Sequence, residues 1–354
     1  MTEQTIPDFL HLASQKRASD IFIIAGRPLS IKVDGKLINL GDRLMPDDTN
    51  RIIHQIYKLA DDRNIEPFLQ GGDDDFSFSI PGLSRFRVNT YRQRSSLAAV
   101  IRVIAFNLPD YNELHIPPEV MNAADFSKGM VLVTGPAGSG KSTTMACLVD
   151  RINHSREGHI ITLEEPLEYL HRHDKCIVSQ REICTDTESY LTSLRATLRQ
   201  SPDVILLGEM RDHETIQIAM TAAETGHLVL SSLHTTGAAN TISRIVDVFE
   251  PNQQRQISVQ LSMVLQAVIS QQLVPGTDGH KIPAFEVMIL NPAIRNMIRD
   301  NKIHQIDGVI ASSGHENMRS MDQSLLEHFK QGLITKETAL KYASNPDLLK
   351  RRLM

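Results

Sequence analysis

The chain has 354 residues, of which 41% are hydrophobic and 22% charged, an ordinary composition for a globular protein of about two domains. Lys plus Arg is 37 against 42 for Asp plus Glu, a formal charge of −5, which excludes a protein that coats nucleic acid through its overall charge. The three cysteines, Cys147, Cys176 and Cys184, form no Cys-x-x-Cys pair, so a disulfide framework and a zinc ribbon are excluded and a reducing compartment is expected.

The first hundred residues read as an α+β domain. A helix is predicted over Pro7–Lys16 and a strand over Asp20–Ile24, ending at Gly26. Leu29–Val33 and Lys36–Leu40 read as a hairpin turned at Asp34-Gly35. Ile52, Ile53, Ile56 and Leu59 form one stripe of a helix over Asp47–Ala60. Phe76–Ile80, Arg85–Tyr91 and Ala98–Ile104 read as antiparallel strands. Asn107–Pro118 carries three prolines and no period, which marks a linker.

Beyond the linker the pattern changes. Short apolar strands at Met130–Val133, His159–Leu163, Val204–Leu207 and Leu228–Ser232 alternate with helical stretches, the signature of a parallel α/β sheet. Helices are expected at Ala293–Arg299, Asp322–Lys330 and Lys336–Ala343. The division is therefore 1–106, a linker at 107–118, a parallel-sheet core at 119–290 and a helical region at 291–354. No apolar signal core opens the chain, and no stretch reaches the ~18 apolar residues of a membrane span. A cytoplasmic location is expected, with any work at a membrane done through another protein.

The strongest motif is Gly135-Pro136-Ala137-Gly138-Ser139-Gly140-Lys141-Ser142, followed by Thr143. It fits G-x-x-x-x-G-K-[ST] between a strand and a helix. Glycines let successive N–H groups turn toward phosphate oxygens, and the helix start adds its dipole. Lys141 is expected to reach the β- and γ-phosphates of ATP and Ser142 to ligate Mg²⁺. Val204–Leu207 delivers Glu209 to a strand end, where it is the candidate for polarising the attacking water. Many such sites have Asp before this Glu, whereas this chain has Gly208. Glu164, Glu165 and Glu168 form a second acidic cluster, serving either the metal and water or a solvated turn. His227 and His234 flank a strand, a spacing unlike that of a zinc pair. His234 reads either as a γ-phosphate sensor or as a capping histidine. Arg85, Arg87, Arg92, Arg94 and Arg102 cluster before the linker. They are either a solvated sheet face or, as in hexameric NTPases, a guanidinium set placed against a neighbouring subunit's nucleotide.

Together these motifs resemble the secretion-ATPase superfamily, and within it the type IV pilus retraction branch. The resemblance spans nearly the whole chain. It includes Ala18–Ile23, Arg85–Asn89, the phosphate loop with Ser142-Thr143-Thr144, and an acidic box, Glu164–Tyr169. It continues through Ser179–Glu182, Leu198–Asp203, Gly208–Asp212, the histidine box from Ala223 to Thr235, and Ala293–Arg299, a signature of the retraction branch. It implies a PAS-like N-terminal domain, a RecA-like P-loop ATPase domain with C-terminal helices, and a homohexameric ring. It implies that Glu209, Glu168 and Lys141 carry turnover, and that His227, His234 and the arginines Arg85, Arg87, Arg94 and Arg102 contact nucleotide. The family usually has Asp where Glu165 stands. The implied function is pilus retraction and twitching motility, worked through a PilC-like inner-membrane platform protein and, in the cell, a paralogous retraction ATPase. Alternatives are an accessory retraction ATPase, a poorly hydrolysing regulatory ring subunit, and a ring NTPase on nucleic acid, which the negative charge disfavours.

Overall fold

The computed structural model describes residues 6–33, 35–104, 108–313 and 317–353. Asp34 of the expected hairpin turn and Asn107 at the start of the expected linker lie outside the described residues, as do the extreme ends of the chain. The chain divides into two compact units, Met1–Asn107 with Glu168–Leu170, and Leu108–Leu167 with His171–Met354.

The N-terminal unit is α+β. Helix α1 (Ile6–Gln15) leads into strands β1 (Asp20–Ile23), β2 (Pro28–Val33) and β3 (Lys36–Arg43). Helices α2 (Pro46–Leu59) and α3 (Glu66–Gly71) precede β4 (Asp73–Ile80), β5 (Ser84–Gln93) and β6 (Ser96–Ile104). The strands form an antiparallel sheet in the order β3-β2-β1-β6-β5-β4. Pro46 opens α2 and the Asp48 carboxylate accepts the Met45 N–H at 2.9 Å, which suits the positive end of a helix dipole. Its Ile52, Ile53 and Ile56 pack with Ile21, Ile31, Phe86 and Ile101 into one core. Strand β5 runs two residues past the expected Tyr91 and stops before Arg94. Arg94 and Ser95 take φ of 48° and 65° and close a two-residue hairpin between Gln93 and Ser96. Such turns favour Asn-Gly, so Arg-Ser gives no sequence signal.

The second unit starts with the short helix α4 (Pro118–Met121), then β7 (Gly129–Thr134), α5 (Lys141–Ser155), β8 (Gly158–Glu164) and β9 (Cys176–Glu182). Next come α6 (Tyr190–Thr197), β10 (Val204–Leu207), α7 (His213–Glu224), β11 (Leu228–Leu233), α8 (Ala238–Asp247) and α9 (Pro251–Val264). Strands β12 (Leu265–Pro275) and β13 (Lys281–Ile289) complete a seven-stranded sheet, order β13-β12-β7-β11-β10-β8-β9, in which β13 alone runs antiparallel to its neighbour. Helices α10 (Pro292–Arg299), α11 (Ile306–Ser312), α12 (Met321–Lys330), α13 (Lys336–Tyr342) and α14 (Pro346–Arg352) follow.

Both faces of this sheet are covered, which is why its strands read as unbroken apolar runs. Met130, Leu132, Ile161, Ile205 and Leu207 enter one core. Their neighbours Val131, Val133, Ile160, Val204 and Leu206 enter the other. The two-residue side-chain period of a strand sorts them. Met321, Leu325 and Leu349 of the C-terminal helices pack with Val274 and Ile282 of β12 and β13.

Candidate nucleotide site

Four adjacent parallel strands bring the predicted residues to one sheet edge. In the order β7, β11, β10, β8, their C-terminal ends lead to Gly135, His234, Gly208-Glu209 and Glu164-Glu165. Strand neighbours lie about 4.8 Å apart, so groups scattered along the chain converge there.

The loop after β7 is held by β12. Gly135 has φ 141°, and a Cβ there would collide with the Gln271 carbonyl oxygen. Only glycine permits both the conformation and the approach. The Gln271 side chain also accepts the Thr144 hydroxyl at 2.7 Å, fixing the first turns of α5. Lys141, the first residue of that helix, is 8% exposed. Its ammonium donates to the carbonyls of Gly135 at 2.9 Å and Pro136 at 3.0 Å. The N–H groups of the first helical turn have no carbonyl one turn earlier, and the buried Ser139 hydroxyl lacks a partner among the described residues. A positive helix end, a folded-back ammonium and spare donors fit a phosphate chain. Ser142 stands in the same first turn.

Beyond the lysine runs a chain of contacts. Nζ of Lys141 lies 3.4 Å from Nδ1 of His234, and Nε2 of His234 lies 3.4 Å from Oε2 of Glu209. An ammonium only donates, so Nδ1 accepts and the ring proton sits on Nε2, facing the carboxylate. Glu209 Oε1 is also paired with the Arg211 guanidinium, whose side chain is 71% exposed. That pair contributes no more than about 1 kcal/mol and exchanges readily. Glu209 itself is only 12% exposed. A depression of about 490 Å³ beside it is lined by Glu209, Arg211, His234, Thr235 and Arg244.

Gly208 is fixed on both sides. Its N–H donates to Leu163 O at 2.8 Å, and its carbonyl accepts the Ser232 hydroxyl at 2.6 Å. The Tyr190 hydroxyl lies 2.7 Å from where a Cβ at 208 would stand, which accounts for glycine in place of an acid. Burial, reinforced by Glu209, Glu165 and Glu164, pushes the Tyr190 phenol above its ordinary range. Tyr190 and Gln271 were not singled out from sequence. Thr144 and Arg211 lie inside quoted motifs, but nothing in the local pattern ties Gln271 to a loop over a hundred residues earlier.

Other expected residues lie elsewhere. His227 precedes β11 at the opposite end from His234, about 20 Å away by strand rise. Its Nδ1 faces Ala222 O at 2.9 Å and the Thr225 hydroxyl at 3.2 Å. Within the chain it closes the turn after α7 and does not reach the phosphate loop. Glu168 falls in the 168–170 segment that groups with the N-terminal unit. Arg85, Arg87 and Arg102 stand on β5 and β6 of that unit, and Arg94 in the turn between those strands. Arg87 and Arg102 are directly opposite across the sheet. Arg87 forks onto Asp75 at 2.7 and 3.1 Å, and Arg102 pairs with Asp20 at 3.3 Å. These acids offset the like-charge repulsion of facing arginines. Arg92 donates to Leu69 O at 2.6 Å. The Ala293–Arg299 signature has a structural role as well. Arg295 caps the end of α9 through Ser262 O at 2.6 Å and Met263 O at 3.1 Å.

The fold and the edge of its parallel sheet define a P-loop ATPase. A family model described as Type II/IV secretion system protein matches residues 1–286. The chain is 42% identical over 342 residues to the type IV pilus retraction ATPase PilT of Pseudomonas aeruginosa, covering 97% of this chain and 99% of that protein. It is 37% identical over 343 residues to the type IV pilus ATPase PilU of the same organism, covering 96% and 89%. A crystal structure of the pilus retraction motor PilT with bound ADP matches with a TM-score of 0.89 at 43% identity, covering 99% of this chain and 100% of that one. The chain belongs to the Type II/IV secretion system protein family.

Proposed function

We propose that this chain is the ATPase motor of type IV pilus retraction, and of the twitching motility that retraction drives. The observation that carries the reading is the contact chain Lys141–His234–Glu209, in a chain similar over 97% of its length to a retraction ATPase. The phosphate loop and Lys141 bind the ATP phosphates. Glu209 orients and polarises the attacking water, and His234 links that carboxylate to the lysine. With Gly208 where many such sites have Asp, Mg²⁺ rests on Ser142, the phosphates and water. When bound, it neutralises charge on the transferred phosphoryl group.

The same reading gives the N-terminal unit a PAS-like fold and the second unit a RecA-like one. Six copies form a ring in which Arg85, Arg87, Arg94 and Arg102 meet a neighbour's nucleotide, Arg87 and Arg102 exchanging Asp75 and Asp20 for it, and Glu168 supports turnover. Hydrolysis alters the angle between the domains about residues 107–118, and the ring turns a PilC-like platform protein. Among the described residues no helix is long and apolar enough to cross a membrane. Such a chain works at the cytoplasmic face of the inner membrane by docking on that partner.

The test is steady-state ATP hydrolysis by the purified chain beside Glu209→Gln, with light scattering on the same samples. Hydrolysis by a hexamer that collapses in the variant is the expected result. Binding without turnover in the parent chain would replace the motor with a regulatory subunit. The 37% identity to PilU carries a second reading, an accessory retraction ATPase. Loss of retraction on deleting this chain alone favours the principal motor.

A further inference from the structure

Tyr190 is the first residue of α6, directed by its cap. The Ser189 hydroxyl accepts the Thr192 N–H at 3.2 Å and starts the helix there. The ring packs against the core that lies under β8 and β10. Its hydroxyl is thereby carried to Gly208, 2.7 Å from the place of an absent Cβ. Gly208 does not have a left-handed φ, so its backbone angles do not call for glycine. Crowding by the phenol does. The backbone cannot retreat, because both polar groups of Gly208 are engaged with β8 and β11.

We propose that the Tyr190 hydroxyl is a positioning group for ATP hydrolysis, occupying the place a side chain at 208 would take and orienting the Glu209 carboxylate and its water through its O–H. The proposal rests on the reading of Glu209 as the water-activating residue. The Tyr190 hydroxyl lies beside Gly208, the residue before Glu209, and the charges of Glu209, Glu165 and Glu164 act on it. A carboxylate accepts and does not donate, so a water among these groups needs a donor to set its orientation. A phenol supplies one at fixed reach from a helix, without adding another negative charge. Burial, reinforced by those carboxylates, pushes its ionisation up, so it keeps its proton and remains a donor. It makes no contact with a reacting phosphate and acts through Glu209 and the water.

The experiment compares the full chain with Tyr190→Phe and Glu209→Gln for ATP turnover, ATP KM, fluorescent ADP affinity and thermal midpoint. Tyr190→Phe keeps the ring and removes one oxygen. The proposal expects kcat to fall about tenfold, with KM and ADP affinity unchanged within about twofold and the midpoint unmoved. An unchanged kcat, beside an inactive Glu209→Gln, overturns the proposal while leaving the site intact. A fall in kcat that comes with weaker ADP binding or a lower midpoint also overturns it, since a packing role alone produces that pattern. Turnover retained by Glu209→Gln overturns the site reading itself, and the role of Tyr190 with it.

Discussion

Nδ1 of His234 lies 3.4 Å from the ammonium of Lys141, so the residue that closes β11 touches the lysine that opens α5. They follow neighbouring strands of the sheet, β7 and β11, but stand 93 positions apart in the chain. Glu209 adds a third strand through the other ring nitrogen. A change in the charge held by Lys141 therefore reaches the carboxylate through one ring.

Replacing His234 by Ala breaks this contact without touching the loop. Turnover is expected to drop roughly tenfold to a hundredfold, the range for losing a hydrogen bond to a charged group. ADP affinity should stay within about threefold. Steady-state kinetics beside a fluorescent-nucleotide titration reads both.

Gly135→Ala places a methyl against the Gln271 carbonyl and forces an unfavourable φ. The expected cost is about 1–3 kcal/mol of stability, with loss of nucleotide binding. Denaturant unfolding and ADP titration check the two effects separately.

Gly208→Ala should cost a similar ~1–3 kcal/mol, because the new methyl meets the Tyr190 hydroxyl. In a Tyr190→Phe background the same substitution should cost less, with a coupling of at least about 0.5 kcal/mol. Additive costs in a double-mutant cycle would show that the two positions do not crowd each other.

Arg295→Ala removes the guanidinium that caps the end of α9. The loss is expected near 1 kcal/mol, because water can reach the Met263 carbonyl. A lower thermal midpoint with ADP affinity unchanged is the predicted result.

His328 is buried on α12 and donates from Nε2 to Pro283 O at 3.0 Å. Burial, with help from Arg319 and His115 against Glu327, holds its pKa below the ordinary 6.5. The unfolded chain then binds the proton first, so stability is lost as pH falls below about 6.5. His328→Gln keeps a donor and should flatten that slope. Unfolding midpoints of both proteins at about pH 5.5 and 7.5 measure the difference.

Much of this was legible in the sequence because local signals carried it. The strand Val204–Leu207 falls where it was expected, and the phosphate loop announces itself by glycine spacing. The ends of β7, β10 and β11 follow from apolar runs, so the meeting of Lys141, His234 and Glu209 was within reach. What was hidden depends on distant packing. Helix α9 passes directly into β12 between Val264 and Leu265, with no glycine or proline to mark the change. β12 was therefore unseen, and with it the Gln271 wall of the loop. Tyr190 sits at a helix start whose sequence shows a cap but not the strand it faces. The spacing of His227 and His234 already put them at opposite ends of one strand, as β11 does; only the motif grouped both with the nucleotide.

The Gln271 wall also bears on how the chain is made. A ribosome delivers the phosphate loop early, but the strand that braces it emerges more than a hundred residues later. Until then Gly135 has no carbonyl to lean on and Thr144 no amide to hold its hydroxyl. A nascent chain halted before β12 carries the whole phosphate-binding sequence without the surface that shapes it. A chain shortened to end before β12 is therefore expected to bind nucleotide less tightly than the full chain.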